Sequence, residues 1–139
     1  MISPTGKGIR GHDKWGGGFF GASRDGGKRK HEGADFISET GQQVVMPLDG
    51  TIVRVARPYA DDNRYSGCLI RTPEYPEVKM FYFEPLQGLI GKKAKRGCVI
   101  GFAQNVAARY PRITNHVHLE VHGQDGKAIN PATLLEKTI

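Results

Sequence analysis

Three of the chain's five histidines fall in one short segment, Asn115-His116-Val117-His118-Leu119-Glu120-Val121-His122. Apolar and polar residues alternate strictly there. The pattern predicts a β-strand with Val117, Leu119 and Val121 on one face and His116, His118, Glu120 and His122 on the other. Side chains two residues apart in a strand stand side by side, so His116 and His118 address one small volume, as a metal ion with an activated water requires. Glu120 and His122 read as the solvated rim of that face, with support of a ligand from behind as the alternative. A second group, His31-Glu32-Gly33-Ala34-Asp35, adds an imidazole and a carboxylate. Fully extended, His31 and Asp35 would stand about 13 Å apart at roughly 3.3 Å per residue, too far to share one ion with bonds of about 2 Å. The chain must therefore turn between them, and Gly33 is the residue most able to supply that turn. Together the two motifs provide His, Asp and His, a set suited to Zn²⁺ with a fourth position open to water. An open position marks a catalytic centre, because water bound there ionises near neutral pH and attacks a carbonyl.

The elements that must position these groups are strands. Period-two patterns bounded by turn signals predict strands over 44–47, 50–57, 67–72, 77–83, 97–103 and 115–123, and Phe36-Ile37 anchors Asp35 on a further one. Loops are expected over 58–66 and 87–96, and a helix only over 132–137, after Asn130-Pro131. The fold class is mainly β, a single domain built as an open antiparallel sheet or sandwich with the metal site in a groove. Residues 1–30 hold Gly16-Gly17-Gly18, Gly26-Gly27 and the aromatics Trp15, Phe19 and Phe20. Three large aromatics so close together favour a wrap tied onto a core of residues 31–139 over a loose tail.

With 139 residues and 38% hydrophobic content, the chain suffices for one modest core. Twenty Lys and Arg against fourteen Asp and Glu leave a net charge of +6, so the expected partners are anionic. Lys28-Arg29-Lys30 and Lys92-Lys93-Ala94-Lys95-Arg96 are not interleaved with aromatics, so nucleic acid is not expected as a partner. Solvated turns or attraction to an anionic cell wall remain. No apolar stretch approaches the roughly 20 residues of a bilayer span, and Met1 to Lys7 has no apolar signal core. Cys68 and Cys98 read as small apolar residues embedded in strands, with one disulfide as the alternative.

In combination, HxGxD at His31 to Asp35, Val44-Val45-Met46-Pro47-Leu48-Asp49-Gly50-Thr51-Ile52-Val53, Gly97-Cys98-Val99-Ile100-Gly101, HVHLEV at His116 to Val121 and Asn130-Pro131 resemble the lysostaphin/LytM-type zinc metalloendopeptidases. The pattern runs in order from residue 24 to 135. Val78-Lys79-Met80-Phe81-Tyr82, Pro85 and Tyr110-Pro111 resemble the leukocyte cell-derived chemotaxin branch more closely. The resemblance implies His31, Asp35 and His118 as zinc ligands, His116 beside the metal as acid/base or transition-state stabiliser, and a peptidoglycan stem peptide or cross-bridge as substrate. Tyr82, Arg24 and Asn115 are the candidate substrate-binding side chains. Peptidases of this type carry a second histidine in a Tyr-x-His motif, where this chain has Tyr82-Phe83-Glu84. Glu84 is either a solvent-facing acid or a general base. The alternatives to a wall-cutting enzyme are a non-catalytic zinc-stabilised binding or signalling domain of the chemotaxin type and a phage-tail structural component. Two cysteines are fewer than a small secreted vertebrate protein would carry. A bacterial or phage source is therefore expected, with action in the periplasm or cell wall after delivery by a phage or secretion system, and a monomeric state.

Overall fold

The computed structural model describes residues 1–136. Eight strands carry the architecture: β1 (Ala34–Ile37), β2 (Gln43–Val45), β3 (Gly50–Ala56), β4 (Gly67–Arg71), β5 (Glu77–Phe81), β6 (Phe83–Pro85), β7 (Val99–Ala103) and β8 (His116–His122). The larger sheet runs β3-β4-β5-β8, flanked by short segments Lys93–Ala94 beside β3 and Ala128–Ile129 beside β8. β1 joins the far edge of β8. The smaller sheet runs β6-β7-β2, and every pairing in both sheets is antiparallel. The fold is mainly β with open antiparallel sheets, as the periodicity predicts.

Alternation explains where the core lies. Val117, Leu119 and Val121 of β8 are fully buried, with Val78 and Met80 of β5, Cys68 and Ile70 of β4, and Ala34 and Phe36 of β1. The smaller sheet closes over them with Val44, Phe83 and Ile100. Burying side chains of this size stabilises each by about 1.5–3 kcal/mol relative to exposure. The opposite face of the larger sheet is left to polar residues, and the groove lies there.

Three expectations are corrected. The strand expected over 77–83 is broken at Tyr82, whose φ is +76°. Ser66 clasps the break: its carbonyl accepts from the amides of Tyr82 (2.8 Å) and Phe83 (3.2 Å), and its hydroxyl donates to the Phe83 carbonyl (3.1 Å). A straight strand would place Phe83 on the groove face with Phe81; the kink turns Phe83 into the core and starts β6 in the other sheet. After Asn130, Pro131–Leu134 forms one 3-10 turn and Leu135 is already extended, so no helix forms in a stretch too short to offset nucleation. Lys137, the end of that expected helix, lies outside the described residues. Cys68 is buried on β4, but Cys98 is exposed ahead of β7, and both are free thiols. Among the described residues, no helix is long and apolar enough to cross a membrane.

Residues 2–18 lie along β1 and β2 through backbone hydrogen bonds, among them Val45 N–H to the Pro4 carbonyl, Ile37 N–H to Gly8 and Arg10 N–H to Asp35. Two small hairpins, His12–Asp13 with Gly16–Gly17 and Ser23–Arg24 with Arg29–Lys30, rise from this path beside the groove.

Candidate metal centre and groove

β-Sheet register assembles the centre. Asp35 of β1 stands directly opposite His118 of β8, and such cross-strand pairs hold their Cβ atoms about 5 Å apart. The Asp35 Oδ1 atom lies 2.9 Å from His118 Nδ1. His31 enters from the preceding loop, where its amide donates to the Ala22 carbonyl and its own carbonyl accepts from Gly21 N–H. Its Nδ1–H donates to the Phe19 carbonyl at 3.1 Å, which aims Nε2 at the centre. There Nε2 lies 3.1 Å from His118 Nδ1 and 3.4 Å from Asp35 Oδ1.

Three donor atoms thus form a triangle with edges of 2.9, 3.1 and 3.4 Å. A tetrahedral ion with bonds of about 2.0–2.1 Å has ligand–ligand edges of about 3.3 Å, so this nitrogen and oxygen set fits zinc. Burial alone would raise the Asp35 carboxyl, but hydrogen bonds with His118 and His31 hold it well below the usual carboxylate range. Asp35 is an anion facing the two imidazoles.

Behind the triangle, His118 Nε2 is 2.9 Å from Glu120 Oε1, and Glu120 Oε2 is 2.9 Å from His122 Nε2. Burial works to raise the Glu120 carboxyl, yet the hydrogen bonds with His118 and His122 bring it down to about 2. The solvated-rim reading therefore fails for Glu120, which orients His118, while His122 backs Glu120. A carboxylate on the far nitrogen of a ligating histidine fixes its tautomer and rotation. Phe81 stacks on His118 from β5, ring centroids 5.8 Å apart and planes within 15°. Gly33 turns out to be required for space: a Cβ there would lie 2.5 Å from the Leu119 carbonyl and 2.7 Å from His118 Cε1.

His116 stands beside the triangle, its Nδ1–H donating to the Thr114 carbonyl at 2.8 Å and its Nε2 3.6 Å from Asp35 Oδ2. Burial pushes its pKa down, so the ring is neutral with its Nε2 lone pair on the inner side. Tyr82 packs edge-on against His116, centroids 5.2 Å apart, and its hydroxyl meets Tyr59 at 2.7 Å. Tyr59 also meets the Tyr110 hydroxyl at 2.5 Å, and burial pushes the Tyr82 phenol up to about 12.

The groove over these groups encloses about 1290 Å³, with Arg24, Tyr59, Tyr82, Tyr110, His116 and His118 among its lining. Arg24 reaches inward, Nη2 3.8 Å from Asp35 Oδ2. Two expected residues are not brought there. Glu84, past the Tyr82 kink, is exposed on β6 opposite Phe102, so it does not meet the metal centre. Asn115 has its amide committed behind the groove, donating to Ser38 Oγ and the Gln104 carbonyl and accepting from Val106 N–H. Arg10 and Tyr59, which come from loops with no pattern of their own, were not expected at the site, and Tyr110 was marked by the resemblance without a role.

No protein-family model matches the chain. Among solved structures, the catalytic domain of the antimicrobial peptidase lysostaphin from Staphylococcus simulans superposes with a TM-score of 0.61 at 18% identity, covering 88% of this chain and 92% of that domain. The chain has the lysostaphin-type fold. A zinc-containing peptidase from Vibrio cholerae shares that fold with a TM-score of 0.61 at 21% identity, over 96% of this chain and 41% of its own. In sequence, myeloid protein 1 of Gallus gallus is 32% identical over 120 residues, and an uncharacterized metalloprotease of Haemophilus influenzae 33% identical over 106. The matches cover 85% and 76% of this chain but only 36% and 21% of the two relatives, so the chain spans a minor part of each. The resemblance read from the motifs holds on both its bacterial and its vertebrate side.

Proposed function

We propose that this chain is a zinc-dependent metalloendopeptidase that hydrolyses peptide bonds of peptidoglycan, in the stem peptide or the cross-bridge. The observation that carries the reading is the convergence of His31 Nε2, Asp35 Oδ1 and His118 Nδ1 on the floor of an open groove, with a neutral His116 beside them. His31, Asp35 and His118 would hold the ion. When bound, zinc supplies Lewis-acid polarisation of a carbonyl and a water acidified toward neutral pH.

The chain's own residues do the rest. His116 takes up a proton at Nε2, because its Nδ1–H is held by Thr114 and burial keeps the ring uncharged beforehand. Tyr82 keeps its phenolic proton throughout the neutral range and donates to the peptide oxygen on which charge develops. Arg24 binds the substrate backbone or a carboxylate along the groove, and the basic hairpin Arg29–Lys30 favours an anionic wall. Action in the bacterial periplasm or cell wall accords with the lysostaphin and metalloprotease relatives.

A second reading, a zinc-stabilised binding or signalling domain of the chemotaxin type, is favoured by the identity to myeloid protein 1 and by the position of Glu84 away from the centre. Digestion of purified peptidoglycan sacculi separates the two. The zinc-loaded protein should release peptide fragments detectable by mass, and His116→Ala should bind zinc while releasing at least a hundredfold less. Zinc binding with no fragments from several wall chemistries would leave the binding-domain reading in place.

A further inference from the structure

The two oxygens of Asp35 have different company. Oδ1 faces His118 Nδ1 at 2.9 Å and His31 Nε2 at 3.4 Å, whereas Oδ2 accepts its one side-chain hydrogen bond from Arg10 Nε–H at 3.2 Å, with His116 Nε2 at 3.6 Å and Arg24 Nη2 at 3.8 Å farther off. Arg10 is 3% exposed, and its guanidinium is held on other sides too: Nη1 donates to Asp13 Oδ2 at 2.9 Å and to the Gly16 carbonyl at 2.8 Å. A buried cation is expensive unless paired and hydrogen-bonded, so this environment selects a forked guanidinium over a point charge.

The backbone repeats the connection. Arg10 N–H donates to the Asp35 carbonyl, Gly18 N–H to the Arg10 carbonyl and Asp35 N–H to the Gly18 carbonyl. A Cβ on Gly18 would lie 2.3 Å from Arg10 Cγ and 3.1 Å from Asp35 Cβ, so these segments touch without room for a side chain. Asp13 extends the linkage by accepting from Trp15 N–H at 2.8 Å and from Thr114 N–H at 3.1 Å. Thr114 is the residue whose carbonyl holds His116.

We propose that Arg10 is a positioning residue for the metal carboxylate: it occupies Asp35 Oδ2 so that Oδ1 alone is presented to the ion, and it makes the segment from Arg10 to Gly18 part of the centre. The inference rests on the zinc reading of His31, Asp35 and His118. A carboxylate free to rotate can offer both oxygens, and the second would compete for the position that water needs in a four-coordinate catalytic site. Arg10 acts through Asp35.

The test uses the full chain, with zinc titrated against a chromophoric chelator and with the visible absorption of the cobalt-substituted protein as a report of coordination number. Arg10→Met should weaken zinc at least tenfold, within the range for residues that support metal ligands, and should lower the cobalt absorption as a second oxygen joins. Arg10→Lys keeps the charge and loses the fork; it should weaken zinc by a smaller factor, at least threefold. Circular dichroism establishes that each variant is folded, and if Arg10→Met is not, Arg10→Lys decides. Zinc affinity within twofold of the unaltered chain, together with an unchanged cobalt spectrum, would overturn the proposal even if the variant melts at a lower temperature. Absence of zinc binding by the unaltered chain would overturn the zinc reading and this inference together, whereas tight binding with indifferent variants overturns the inference alone.

Discussion

Glu84 and His116 make opposite predictions although both are titratable groups near the motif segments. His116 faces the groove between Tyr82 and Asp35, while Glu84 is exposed on the smaller sheet. Glu84→Gln should therefore leave the rate of fragment release from sacculi within twofold of the unaltered chain, and a large loss would require a carboxylate role that this position does not offer. The cysteines divide in the same way. Burial pushes the Cys68 thiol up to about 12, so at pH 8 it is both protonated and shielded, whereas Cys98 is exposed. Titration with a thiol reagent at pH 8 should count one reactive group in the native protein and two in denaturant. Of the individual site residues, those with a chemical signature were legible: HxGxD and HxH pointed to His31, Asp35 and the pair His116 and His118, and the family resemblance singled out His118 as the third donor. Arg10 and Tyr59 were not, because an arginine or tyrosine in a loop looks the same whether it is solvated or buried against a carboxylate.

At the scale of elements, alternation carried most of the information. Five of the six expected strands contain observed ones and the sixth, 44–47, overlaps Gln43–Val45, since a half-buried strand writes its two faces into the sequence at period two. The failure at Tyr82 has a physical cause: Phe81, Tyr82 and Phe83 are three aromatics in a row, so the local pattern has no phase, and only the clasp by Ser66 settles which of them enters the core. Positive φ at a tyrosine is costly, of order 1 kcal/mol or more, and is kept here where the ring is set against His116. Gly33 gives the element-scale prediction. In Gly33→Ala the methyl group would meet the Leu119 carbonyl and the His118 ring, so β1 and β8 must part. Zinc affinity should fall at least tenfold by chelator competition while the far-UV circular dichroism stays that of a β protein. An unchanged affinity would mean that the loop yields without moving His118.

For the whole molecule, charge and metal set the conditions of use. The +6 excess should make adsorption to anionic sacculi decline as salt rises from 50 to 500 mM, because the screening length shortens from about 14 Å to about 4 Å over that range; adsorption indifferent to salt would assign wall binding to the apolar part of the groove. Metal removal should be felt throughout, since an ion bound only by the folded chain stabilises it by about 4 kcal/mol at a thousandfold excess over its dissociation constant. A melting temperature unmoved by chelation would count against a resident ion. The fold class and the groove's position on the polar face of the larger sheet followed from the sequence pattern. How residues 1–30 are laid down did not, because backbone hydrogen bonds, which leave no mark on composition, hold that path.

The pairing of β1 with β8 also sets a clock. His31 and His118 are separated by 87 positions along the chain, and Asp35 and His118 by 83. Long-range antiparallel pairing is slow to form, and half of this site is synthesised among the last elements of the described chain. A ribosome-bound fragment that has not yet released β8 has one imidazole, one carboxylate and no centre. The three donor atoms can meet only after β8 has been made and has paired with β1.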